Sequence, residues 1–106
     1  LSYILVLTTL PDAESARSLA RALVDGRLAA CVTIGAPVES MYHWQGTTET
    51  AREVPLTAKT RSELFGDVAA AIRSRHPYEL PEIVAVRLSD GSPEYLRWID
   101  AETAPR

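Results

Sequence analysis

From Ala29 to Lys59 the sequence repeats with a period of two, broken by one polar turn, and a stretch of that kind leaves room for little other than a long antiparallel ribbon. Ala30, Val32 and Ile34 alternate with Ala29, Cys31 and Thr33, as in a strand with one face on a core. Gly35 and Pro37 interrupt the pattern, which resumes through Val38, Ser40, Tyr42 and Trp44. The spacing predicts one long strand, bent or bulged near Gly35, rather than two separate elements. Gln45-Gly46-Thr47 is the turn. The returning strand sets Val54, Leu56 and Ala58 on one face and Glu53, Thr57 and Lys59 on the other. Pro55 cannot donate to a ladder, so it belongs at a sheet edge, at a bulge, or ahead of the returning strand's true start.

The flanking segments change period. Tyr3-Ile4-Leu5-Val6-Leu7 is a continuous branched apolar run, expected as a central strand covered on both faces. Ala13, Ala16, Leu19, Ala20, Leu23 and Val24 recur at helical spacing after Asp12, a fitting N-cap, and before Gly26, a stop. Thr60-Arg-Ser-Glu63 has capping-box spacing ahead of a second helix striped by Leu64, Phe65, Val68 and Ile72, which His76-Pro77 ends. Residues 83–88 read as a further strand, and Ser92-Pro93 opens a short terminal helix with Leu96 and Ile99 inward. The order β-α-β-β-α-β plus a terminal helix predicts an α+β, ferredoxin-like sandwich with both long helices on one face of an antiparallel sheet.

A chain of 106 residues suits one domain spanning 1–106. A formal charge of −3 offers no cationic surplus for a phosphate backbone or an anionic membrane, so neither nucleic acid nor a membrane is an expected partner. No apolar run reaches the roughly 20 residues of a membrane span, which makes the cytoplasm the expected address. The single cysteine, Cys31, excludes an intrachain disulfide framework and any zinc site built from several thiolates.

Cys31, His43 and His76 are the residues able to supply a nucleophile or a soft metal ligand, yet their spacing implies no third orienting group. A thiol in mid-strand among small apolar residues behaves as a small hydrophobe. His76, at a helix C-terminus, fits either a capping residue or one ligand of a metal. Tyr42-His43-Trp44 concentrates aromatics beside a hairpin tip, where cross-strand packing or an anchor at a subunit interface would cover them; the interface is the expectation. Glu53, Lys59, Glu79 and Glu82 become site residues only if the fold gathers them. Lys59 is the only lysine beside ten arginines.

Several spaced motifs carry a family resemblance over nearly the whole chain: Leu28-Ala-Ala-Cys31-Val32, Tyr42-His-Trp44-Gln45-Gly46, Lys59-Thr60, His76-Pro77-Tyr78-Glu79-Leu80-Pro81-Glu82 and Tyr95-Leu-Arg-Trp98. In this order they resemble the CutA divalent-cation tolerance proteins. The resemblance implies a PII-like homotrimer joined through edge strands and the hairpin carrying Tyr42 and Trp44. It implies a non-enzymatic role in tolerance of divalent metals, copper foremost, with no cofactor required beyond such an ion. The copper ligands proposed in the family are a first-strand cysteine and a His-His pair before Pro-Tyr. Here those positions hold Thr8 and Arg75-His76, so His76 alone carries over as the expected metal ligand. Lys59, Tyr78 and Glu82 are the residues expected to bind a small ligand in a cleft between subunits. The alternative expectation is a PII-like signalling or scaffolding trimer that recognises a metabolite or an unidentified protein partner; an enzyme using Cys31 ranks behind both.

Overall fold

The computed structural model describes residues 2–103; residues 1 and 104–106, the remainder of the expected 1–106 domain, lie outside the described residues. Strand β1 (Tyr3–Leu10) leads into helix α1 (Ala13–Asp25), strands β2 (Cys31–Ile34), β3 (Val38–Trp44) and β4 (Thr47–Arg61), helix α2 (Phe65–Arg75), strand β5 (Val84–Arg87) and helix α3 (Pro93–Glu102). All pairings are antiparallel, in the order β2-β4-β1-β5, with β3 continuing β2's side of β4. This is the expected α+β, ferredoxin-like arrangement.

Even-numbered residues of the two central strands point to one face. Ile4, Val6, Leu10, Val54, Leu56 and Ala58 meet Ala16, Leu19 and Leu23 of α1 and Val68 and Ile72 of α2, forming the hydrophobic core. Asp12 caps α1 by accepting from the Ser15 amide at 2.7 Å, and Ser92 caps α3 with Pro93 in its first turn, both as the sequence predicts.

Three expectations need correction, and the open placement of Pro55 is decided. β1 is central but longer than its apolar run, ending at Leu10, and only its helix-side face is buried; Leu5 and Leu7 on the other face are half-buried. Secondly, the ribbon's first arm is two strands. Ile34 lies opposite Leu56 and Val38 opposite Glu53, so Gly35, Ala36 and Pro37 face only Val54 and Pro55. That surplus residue, together with prolines on both arms, ends the ladder. As for Pro55, β4 runs unbroken through it for 15 residues. The Gly35 amide donates to the Pro55 carbonyl at 2.9 Å, so the donor that proline lacks would have pointed into the interruption, where no ladder partner waits. Gly35 suits this spot because a Cβ there would lie 2.9 Å from the Pro55 ring. Thirdly, Thr60 and Arg61 end β4 instead of capping a helix. The Thr60 hydroxyl donates to the Leu28 carbonyl at 2.6 Å, and a short 3-10 turn, Ser62–Leu64, precedes α2.

The two-residue turn Gln45-Gly46 has positive φ at both positions, 49° and 86°, the conformation whose twist matches a two-stranded ribbon. Helix α3 is tied down at its C-terminal end. Arg61, 9% exposed, donates from Nε to the Thr103 hydroxyl at 2.9 Å and from Nη2 to the Thr103 carbonyl; Arg27 donates to the Ala101 carbonyl at 2.8 Å, and the Tyr3 phenol to Asp100 at 2.8 Å. These guanidinium groups satisfy carbonyls that a helix end leaves without partners. Tyr3 and Arg61 are odd-numbered neighbours on the sheet face away from α1 and α2. Along that face Leu5 pairs with Val86 and Leu7 with Val84, and both valines are 48% exposed. No helix among the described residues is long and apolar enough to cross a membrane.

Candidate functional site

At the end of this open face, where β1 finishes and β5 has not begun, the segment joining α2 to β5 folds against β1 and the base of the ribbon. β5 pairs with residues 4–7 of β1 and leaves the Thr9 carbonyl without a ladder donor. His76 supplies one: its Nε2 lies 2.6 Å from that oxygen, while its Nδ1 accepts from the Tyr78 amide at 3.2 Å. An acceptor at Nδ1 places the ring proton on Nε2. The imidazole is therefore a two-sided clamp, and it presents Tyr78, whose ring centroid is 4.6 Å away.

Tyr78, Glu79, Leu80 and Glu82 form one wall of a cleft of about 580 Å³; Thr9, Tyr42, Trp44, Ala51 and Glu53 complete it. Tyr42 and Trp44, opposite Glu49 and Thr47 on β4, share a face with Ala51 and Glu53. Glu53 is only 8% exposed and accepts from the Thr9 hydroxyl at 3.1 Å. Partial burial of Tyr78, then a hydrogen bond to the Glu53 carboxylate and the charge of that group, push the phenol up to about 12.

This shift has a measurable consequence. Because the folded phenol keeps its proton where an unfolded tyrosine loses it, the stability it contributes is complete below pH 10 and disappears as pH rises towards about 12. Tyr78→Phe should flatten that part of the stability curve, by on the order of 1 kcal/mol once solvent screening is allowed for. Urea denaturation at a series of alkaline pH values checks it; parallel curves for both proteins would contradict the linkage.

Of the residues the sequence singled out, Tyr78, Glu82, Glu79 and Glu53 meet in the cleft, and His76 stands behind Tyr78 with both ring nitrogens engaged. Lys59 does not join them. It sits between Leu5 and Cys31 in the sheet, six residues from Glu53 along β4 and so about 20 Å away. Trp44 is partly covered by its own chain, while Tyr42 is 45% exposed. Thr9, which holds Glu53, gave no signal in the sequence, since its role depends on β1 extending past the apolar run.

The residues present do not compose a tight copper centre. Among the described residues no three of His, Cys, Asp or Glu are placed to hold one metal ion, and a metal at His76 would have to displace the Thr9 carbonyl or the Tyr78 amide. Thr8 is 2% exposed on the core side of β1, its hydroxyl without a partner, and Arg75 is exposed at the end of α2. A hydroxyl and a guanidinium are poor soft-metal donors in any case.

Comparison with known proteins places this geometry in a family. A family model described as "CutA1 divalent ion tolerance protein" matches residues 4–102. The chain is 43% identical over 98 residues to a divalent-cation tolerance protein CutA of Thermus thermophilus, covering 92% of this chain and 95% of that protein. It is 40% identical to the mouse protein CutA over 90% of this chain, spanning 54% of the mouse protein's length. Among solved structures, CutA from Xylella fastidiosa superposes with a TM-score of 0.92 at 44% identity, covering 95% of this chain and 97% of that one. CutA1 from Oryza sativa superposes with a TM-score of 0.95 at 33% identity, covering 100% and 97%. The Arg61 and His76 clamps, the aromatic ribbon and the acidic cleft are thus features of a chain that belongs to the CutA1 divalent-ion tolerance family.

Proposed function

We propose that the protein is a cytoplasmic, non-enzymatic homotrimer of divalent-metal tolerance, copper among the metals, which works by holding a small ligand or a weakly bound divalent ion in the cleft built on Tyr78 and Glu82. Copies join through sheet edges and the hairpin carrying Tyr42 and Trp44, and Lys59 enters such a site only from a neighbouring copy. The observation that carries the reading is the open sheet face: Leu5, Leu7, Val84 and Val86 form an apolar strip left half-covered between α3 and the cleft. The unpaired outer edge of β3, with Val38 43% and Met41 70% exposed, favours association as well.

Sedimentation velocity at dilute concentration tests the assembly. A three-chain species is expected, with Val86→Glu on the open strip shifting it towards single folded chains; a monomeric wild type would overturn the reading. The aromatic walls of the cleft favour, as a second reading, a PII-like signalling trimer whose ligand is an organic metabolite. A thermal-shift series separates the two: saturable shifts with metabolites and none with Cu²⁺ support the second, and the converse supports metal binding.

A further inference from the structure

Resting on the reading of the chain as a homotrimer, we propose that an ion pair joins the copies: Lys59 of one copy is the countercharge of Glu53 in the next, and completes the wall of its cleft.

The open sheet face is built in rows that run across the strands. Val86, Leu5, Lys59 and Cys31 lie side by side, and Val84, Leu7, Thr57 and Thr33 form the next row. Among the strand residues of this face the cations are Arg61 and Lys59. Arg61 is engaged by Thr103 and Glu63. Lys59 is half-buried between Leu5 and Cys31 and has no ion-pair partner among the described residues. Glu53 stands towards the other end of the same face, 8% exposed, accepting a hydrogen bond from the neutral Thr9 hydroxyl. Neither ion pair among the described residues includes it. The other carboxylates of the cleft, Glu79 and Glu82, are exposed and keep their water.

A second apolar surface docked on this face withdraws both charges from water. An ammonium or a carboxylate left alone in a dry interface is costly, whereas the two in contact offset much of that loss. Each therefore lacks what the other carries. Within one chain they cannot meet, because six residues of extended strand hold them about 20 Å apart. Contact needs two chains. Each copy then presents Lys59 to one neighbour and Glu53 to the other, head to tail, as a closed ring of three requires. The same pair fixes the register between copies, since a slide that sets Lys59 beside Arg61, or Glu53 beside Glu82, brings like charges together.

Sedimentation equilibrium of the intact protein, of Lys59→Gln, of Glu53→Gln and of the double variant tests the pair, with far-UV circular dichroism to confirm that each folds. Each single substitution should raise the dissociation constant of the assembly about tenfold or more, because it leaves the opposite charge unpaired. The double variant should fall well short of the product of the two effects. A wild type that sediments as single chains overturns the assembly reading and the pair with it. An assembled wild type whose single effects multiply in the double variant, or are absent, overturns the pair alone and leaves the assembly standing. Should Glu53→Gln fail to fold, carbodiimide cross-linking of the wild type decides. Lys59 is the only lysine, so an amide joining its peptide to that of Glu53 is expected from touching chains; attachment to another carboxylate, or none, overturns the pair.

Discussion

Replacing His76 by alanine should lower stability by about 2–3 kcal/mol and abolish ligand binding in the cleft, although the imidazole does not line it. Both effects follow from the clamp. Without the ring, the Thr9 carbonyl loses its donor and the Tyr78 amide its acceptor, and half-buried backbone groups left in that state cost on the order of 1–3 kcal/mol each. The segment carrying Tyr78, Glu79 and Glu82 then loses its tie to β1. Two conservative variants sharpen the test. Asparagine places an acceptor near the former Nδ1 and glutamine a donor near the former Nε2, so each should recover about half of the loss. Urea denaturation measures the series. Calorimetry with Cu²⁺ provides the contrast: a ligand role predicts that metal affinity falls in all three variants irrespective of their stability, whereas the clamp predicts that it follows stability.

Arg61→Met should cost about 2–4 kcal/mol, concentrated in helix α3. Methionine keeps much of the apolar volume but leaves the Thr103 carbonyl without its donor in a site where Thr103 is 2% exposed. The neighbouring ion pair is a minor part of the loss, because Glu63 is 56% exposed and water can replace its partner. Hydrogen exchange should show α3 amides losing protection while the core strands retain theirs. A uniform loss across the chain would show instead that Arg61 supports the whole sandwich. Tyr95 and Trp98, stacked with ring centroids 5.4 Å apart on this helix, would lose their fixed position with it.

Legibility in the sequence followed the range of the forces involved. Asp12, Ser92-Pro93 and Gln45-Gly46 act within a few residues of themselves, and the helix starts and the hairpin turn were readable from them. The capping-box spacing at Thr60 misled because a long-range partner, the Leu28 carbonyl, holds that hydroxyl in the strand. Pro55 allowed three placements, and only the pairing of Gly35 with its carbonyl selects the bulge. Glu53, Glu79 and Glu82 were visible as carboxylates, but their meeting depends on where the segment after α2 crosses β1. The same register keeps Lys59 away, which no local pattern could reveal.

The surplus residue opposite Val54 and Pro55 also reverses the parity between the two strands it separates. Val32 and Ile34 lie on the helix side of the sheet, yet Tyr42 and Trp44, of the same numerical parity, stand on the cleft side. The Gln45-Gly46 turn holds β3 in its register on β4, so loss of one amino acid between Ile34 and Val38 would remove the bulge and leave both rings on the cleft side. A one-residue slip of β3 against β4 would instead turn them out of the cleft. The turn therefore sets the faces of the ribbon, and the junction at Gly35 takes up the odd residue.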